Sequence, residues 1–130
     1  MRGLRLTVVA VLFAAPAHAG DIDGVWKSEV KDDGRYLHIQ IGPCTNATNE
    51  VCGTIAGAFG GANEANIGKP IIWGMVPSGE NEWDDGTIWK VDDDKEYDSE
   101  MKLQDDGILR VSGCIAFGMI CKSQEWTRVP

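Results

Sequence analysis

Cys44, Cys52, Cys114 and Cys121 have the widest chemical repertoire of any side chains in this 130-residue chain. As thiolates they would attack electrophiles or bind metal; as disulfides they only hold. Zinc sites built from cysteine pairs typically space the two ligands two to four residues apart. Here seven residues separate Cys44 from Cys52 and six separate Cys114 from Cys121. Four cysteines allow three connectivities. Cys44–Cys52 and Cys114–Cys121 is favoured, because each pair brackets a short loop between strand-like runs, and opposed residues on antiparallel strands lie within disulfide reach. That pairing removes all four as nucleophiles and metal ligands.

The remaining reactive groups are sparse or solvated. His38 sits on the expected outward face of a strand, and no Gly-x-Ser-x-Gly elbow accompanies it. Carboxylates crowd the middle of the chain: Asp84 with Asp85, Asp92 to Asp94, and Glu96 with Asp98. Two carboxyls about 5–9.5 Å apart across a cleft would make a glycosidase pair. Asp92 to Asp94 would suit a hard cation, but the run lacks the spacing of an EF-hand loop. Solvated turns account for these clusters without catalysis. The chain therefore implies no catalytic residue, no metal and no cofactor.

Five tryptophans are many for so short a chain. Trp26 and Trp126 read as packing at the end of the fold. Trp73, Trp83 and Trp89 either fill the core or line a pocket. If a pocket exists, its expected lining is Trp73, Trp89, Tyr97 and Met101.

The elements that must position these residues are strands. Alternating runs recur between turn signals, and no amphipathic helix stands out after the first twenty residues. Eight strands are expected, over residues 23–30, 35–42, 52–58, 70–76, 86–91, 96–103, 108–115 and 122–129. The sixth has the clearest period of two, with Tyr97, Ser99, Met101 and Leu103 on one face. In the second, Leu37, Ile39 and Ile41 oppose Tyr36, His38 and Gln40. Asp-Asp-Gly recurs at Asp32–Gly34, Asp84–Gly86 and Asp105–Gly107 and marks hairpin loops or bulges, because Asp tolerates turn geometry and Gly supplies positive φ. Pro77-Ser78-Gly79 and Asp92 to Lys95 read as further turns, and 59–69 as a long loop. Short connections favour an up-and-down barrel of about eight strands, which has no open edges. A two-sheet sandwich has the same composition.

The N-terminus has the three-part layout of a secretory signal peptide: Arg2 and Arg5, an apolar run from Leu6 to Ala15, and Ala17-His18-Ala19. The apolar run is too short to span a bilayer as a helix. Residues 1–19 are expected to be removed and 20–130 to form one domain, in the periplasm or outside the cell. Removal takes two arginines and no acid from 12 basic and 20 acidic side chains, which leaves a formal charge of −10. That balance argues against nucleic acid and against an anionic membrane surface as partners.

The order of several motifs resembles a secreted bacterial family known as domain-of-unknown-function family 2147. They are Gly24-Val25-Trp26, Cys52-Gly53-Thr54-Ile55, Lys69-Pro70-Ile71-Ile72-Trp73-Gly74-Met75, Leu109-Arg110-Val111-Ser112-Gly113-Cys114 and Gln124-Glu125-Trp126-Thr127-Arg128. The resemblance implies a small lipocalin-like barrel in the cell envelope, with no known activity, ligand or catalytic residue. The chain departs from the family at Trp89-Lys90-Val91 and in the loop before Pro70. Gly24-x-Trp26 also looks like the opening of lipocalin barrels, in which an Arg near the chain end covers the Trp. Arg128 is the residue placed to close that end, unless it serves an anionic ligand.

The functional expectation is a non-enzymatic barrel holding a small, partly apolar ligand in its mouth. The alternative is a protein-interaction or inhibitor module presenting loop 59–69 and an acidic face to an envelope protein. A carboxylate-based hydrolase is third.

Overall fold

The computed structural model describes residues 22–130 except 106, and gives side-chain surroundings for all of these but Asp105. Residues 1–19, expected as a signal peptide, lie outside the described residues. Eight antiparallel strands form a closed barrel in simple up-and-down order. They are β1 (Gly24–Lys27), β2 (Tyr36–Pro43), β3 (Val51–Phe59), β4 (Pro70–Gly79), β5 (Glu82–Lys90), β6 (Lys95–Asp105), β7 (Ile108–Ile115) and β8 (Ile120–Arg128). The sandwich alternative is thereby set aside. β1 closes onto β8 through Trp26↔Arg128 and Lys27↔Thr127. Among the described residues no helix is long and apolar enough to cross a membrane.

Period-two alternation puts one face of each strand inside. Ile39 and Ile41 of β2, Val51 and Ile55 of β3, Ile72 and Met75 of β4, Trp83 of β5, Met101 of β6, Leu109 and Val111 of β7 and Trp126 of β8 are all buried with Trp26 and Ile22 in one core. Three indoles and a set of branched aliphatics fill the interior, as small barrels commonly do. Trp26 donates its ring N–H to the Ile22 carbonyl at 2.9 Å, and Trp126 donates to Gln124 Oε1 at 2.7 Å.

One Asp-Asp-Gly signal is a bulge, and one expected turn lies inside a strand. Asp84–Gly86 is a β-bulge in β5: the register with β6 shifts between Trp83 and Gly86, and Asp85 takes a φ of 60°. Gly86 is required there, since a Cβ would meet the Trp73 carbonyl at 3.0 Å and overlap the Met75 side chain. Pro77–Gly79 belongs to β4, and the reversal comes at Glu80–Asn81, with Asn81 at φ 58°. Pro77 lies past Met75, beyond the last rung with β3, where β4 is an edge and tolerates proline. Of the Asp105–Gly107 signal, Asp106 lies outside the described residues; Asp105 ends β6 beside a register shift.

Both disulfides join hairpin partners. Cys44–Cys52 ties the β2–β3 connection and Cys114–Cys121 ties β7 to β8. The up-and-down order also sorts the connections between the two barrel ends. One end carries the chain start and the β2–β3, β4–β5 and β6–β7 turns. The other carries 28–35, 60–69, 91–94 and 116–119, and is the mouth.

Candidate functional site

At the mouth, Trp73 of β4 and Trp89 of β5 stand half-buried on the outer wall. The register Ile72↔Ile88 and Trp73↔Thr87 turns the isoleucines inward and the tryptophans outward. Together with Lys69, Pro70, Asp94 and Glu96 they bound a groove of about 380 Å³. Trp89 donates its ring N–H to Asp94 Oδ1 at 2.9 Å, which fixes the indole plane. Lys69 Nζ lies 5.8 Å from the Trp89 ring centroid and donates to Asn66 Oδ1 at 2.9 Å. The groove thus offers two flat apolar faces, two carboxylates and one ammonium: a seat for stacking with polar groups at its margin.

The barrel wall divides the four residues expected to line a pocket. Trp73 and Trp89 come together outside. Tyr97 pairs with Ile88 on the inner side of the mouth and is half-buried. Met101 is buried opposite Trp83, away from this groove, and with Trp83 borders a different cleft, of about 440 Å³. Lys69 was legible only as part of a motif, and Asp94 and Glu96 only as members of acidic clusters.

The segment before Lys69 is held in a fixed shape. Asn63 caps a single 3-10 turn, Glu64–Asn66, by accepting from the Ala65 amide at 3.0 Å. Gly68 N–H donates to Ile55 O at 2.7 Å, and Ile55 N–H to Lys69 O at 3.0 Å.

A charged strap crosses the mouth. In an eight-strand ring the β1–β2 and β5–β6 connections face each other, and Lys31 and Arg35 on the first both bind Asp92 on the second, Arg35 at 3.2 Å. The hydrogen bond from Lys31, opposed by some desolvation and aided by the charges of Lys31 and Arg35, holds the Asp92 carboxyl below its ordinary range. Asp93 turns instead to Lys90 at 2.8 Å, and Asp94 to Trp89. The three consecutive carboxylates therefore meet three different sets of partners rather than one common point.

The other candidates have structural surroundings. His38 packs in an outer aromatic cluster, 4.5 Å from the Phe59 ring and 6.0 Å from Tyr36. Asp84 Oδ1 accepts from the Asp85 amide at 2.7 Å within the bulge, and Asp84 borders a second cleft of about 440 Å³ with Glu82, Glu100, Lys102 and Arg110. Arg128 stands over Trp26 at the opposite end of the barrel from the groove.

A closed eight-strand barrel with one end tied by a Gly-x-Trp and an arginine is lipocalin-like in architecture. The same fold appears in the solved structure of protein HP1028 from the human pathogen Helicobacter pylori, described as belonging to the lipocalin family. That match has a TM-score of 0.67 and 11% identity, over 84% of this chain and 83% of that one. The chain belongs to DUF2147, a family of uncharacterized proteins conserved in bacteria, whose pattern matches residues 24–128. No curated protein matches it.

Proposed function

We propose that this protein is an exported, non-enzymatic binding barrel of the bacterial envelope, which seats a small, partly apolar ligand at its mouth against Trp73 and Trp89. The observation that carries this reading is the paired indoles in a groove with charges of both signs, outside a barrel whose interior is filled. A ligand with one flat apolar face stacks there, while its hydroxyl or amino groups meet Asp94, Glu96 and Lys69. Two disulfides suit an oxidising compartment and support export. Non-enzymatic binding is also the ordinary use of lipocalin-like barrels.

The test is native mass spectrometry on the protein isolated from its own envelope. A retained small-molecule mass, lost in Trp73→Ala and Trp89→Ala, is expected. A bare protein mass under conditions that keep the barrel and both disulfides intact would overturn the reading.

The interaction-module alternative draws on the fixed shape of loop 59–69. It predicts capture of an envelope protein that is released as salt rises.

A further inference from the structure

The β7–β8 hairpin ends in an apolar tip that the barrel does not use. Ile115-Ala116-Phe117-Gly118-Met119-Ile120 contains no charge and no side-chain hydrogen-bonding group. Phe117 is fully exposed, Met119 85%, Ile120 59% and Ile115 50%. These side chains lie outside the core cluster. Soluble proteins seldom expose contiguous apolar surface of this kind without a use for it.

The tip is also built to keep its shape. Cys114–Cys121 staples its base, and Met119 N–H donates to Ala116 O at 3.2 Å across its end. Ala116 and Phe117 take φ values of 54° and 57°, a conformation disfavoured for side chains other than Gly and Asn. The turn therefore holds Phe117 outward at a conformational cost.

We propose that this hairpin inserts into the interfacial region of a zwitterionic lipid bilayer and docks the mouth of the barrel against the membrane surface. Four side chains of this size present roughly 500 Å², whereas a stable protein–protein contact takes about 800 Å² from each partner. A fluid interface needs no complementary partner shape and suits a narrow convex tip. The hairpin closes its own turn hydrogen bond, so entry into an apolar medium leaves fewer backbone groups stranded.

Charge selects the lipid. Lys122 follows the staple, with a stem long enough to reach headgroup phosphates. Asp98 stands opposite Cys114 in register, and a Glu100 carboxylate oxygen lies within 4.8 Å of both disulfide sulfurs. This acidic skirt behind the tip, on a chain with 20 acidic side chains against 12 basic ones, repels an anionic surface. The inference stands apart from the ligand reading, since it uses none of the groove residues.

The experiment is flotation of the barrel, from Gly20 onward, with vesicles of phosphatidylcholine and phosphatidylethanolamine. Wild type is expected to float. The Phe117→Ser/Met119→Ser double variant is expected to lose binding about tenfold or more, with an unchanged melting midpoint and disulfide content. Phosphatidylglycerol in the vesicles should weaken wild-type binding at low salt, and added salt should restore it. Phe117→Trp should be quenched by brominated acyl chains beyond the background of the native tryptophans. Failure of wild type to float at millimolar lipid, or floating of the double variant as well as wild type, overturns the proposal. So does a wild-type dimer that the double variant dissolves, which would make a second copy the occupant.

Discussion

Arg128 lies over the ring of Trp26, its guanidinium carbon 4.4 Å from the ring centroid, while its Nη1 donates to the Asp23 carbonyl at 3.0 Å. The contact spans the seam where β1 meets β8 through two register pairs, far fewer than the eight that join β7 to β8. Val129 N–H adds one bond to Val25 O at 2.9 Å. Closure of the cylinder thus rests on a short ladder with a cation laid across it, and Gly24 leaves room for the arginine: a Cβ there would meet Nη1 at 3.2 Å.

Replacing Arg128 with Ala should therefore loosen the seam more than a surface truncation elsewhere. The expected loss is about 1–2 kcal/mol, combining the cation–π contact with the packing of the arginine stem. Urea unfolding measures it, and hydrogen exchange should show the β1 amides losing protection before those of β6 and β7. An unchanged urea midpoint would show that the ladder closes the barrel without the arginine.

The eight strands were legible because turn chemistry and period-two alternation agree in nearly every segment; β7 runs over the expected residues, and β6 buries the face expected of it. Asp-Asp-Gly offers the same positive-φ capacity to a hairpin loop and to a bulge, and strand pairing selects the bulge at Asp84–Gly86. That bulge also hid the groove. Trp83 and Trp89 are six residues apart and would share a face of a regular strand, but the extra residue at Asp84–Asp85 sends Trp83 inward and Trp89 outward. Gly74, at φ 71°, similarly accompanies the separation of outward Trp73 from buried Met75. The strap was invisible for a different reason: Lys31 and Arg35 lie 61 and 57 residues from Asp92, and only barrel closure brings them together.

The strap should respond to acid. The Asp92 carboxyl is held below its ordinary value, chiefly by the hydrogen bond from Lys31. A carboxylate depressed in the folded state contributes stability above its unfolded pKa of about 3.9, and that contribution is lost as pH falls through the lower folded value. Stability should hold from neutrality down to about pH 4 and decline below it. Asp92→Asn should shrink the difference between melting midpoints at neutral and acid pH. Equal acid sensitivity in the variant would assign the decline to other carboxylates.

The two disulfides should differ in accessibility to a reductant. Cys121 is exposed, whereas Cys44 is buried and Cys52 partly so. Thiol attack needs access to a sulfur. Mild reductant on the native protein should therefore open Cys114–Cys121 first, and alkylation with peptide mapping would read the order. Removing either bridge by paired Cys→Ser changes should cost roughly 2–3 kcal/mol, because the closed loops are of nearly equal length. Simultaneous reduction of both bridges would mean that the barrel opens globally before reductant reaches either.

The three core indoles differ in one respect that mutation can expose. Trp26 and Trp126 have hydrogen-bond partners for their ring nitrogens, but the Trp83 N–H is buried with none among the described residues. An unpaired buried donor costs about 1–3 kcal/mol, while truncating a packed indole to a phenyl ring sacrifices apolar contacts and leaves a small void. In Trp83→Phe the two effects oppose each other, so its stability should stay within about 1 kcal/mol of wild type. In Trp26→Phe they do not: the void forms and the Ile22 carbonyl loses its donor, so that variant should be the less stable of the two by about 1–3 kcal/mol. Urea melts of the pair measure the difference directly. Equal losses in both would mean that ring volume, and not the satisfaction of the indole nitrogen, governs how this interior is filled.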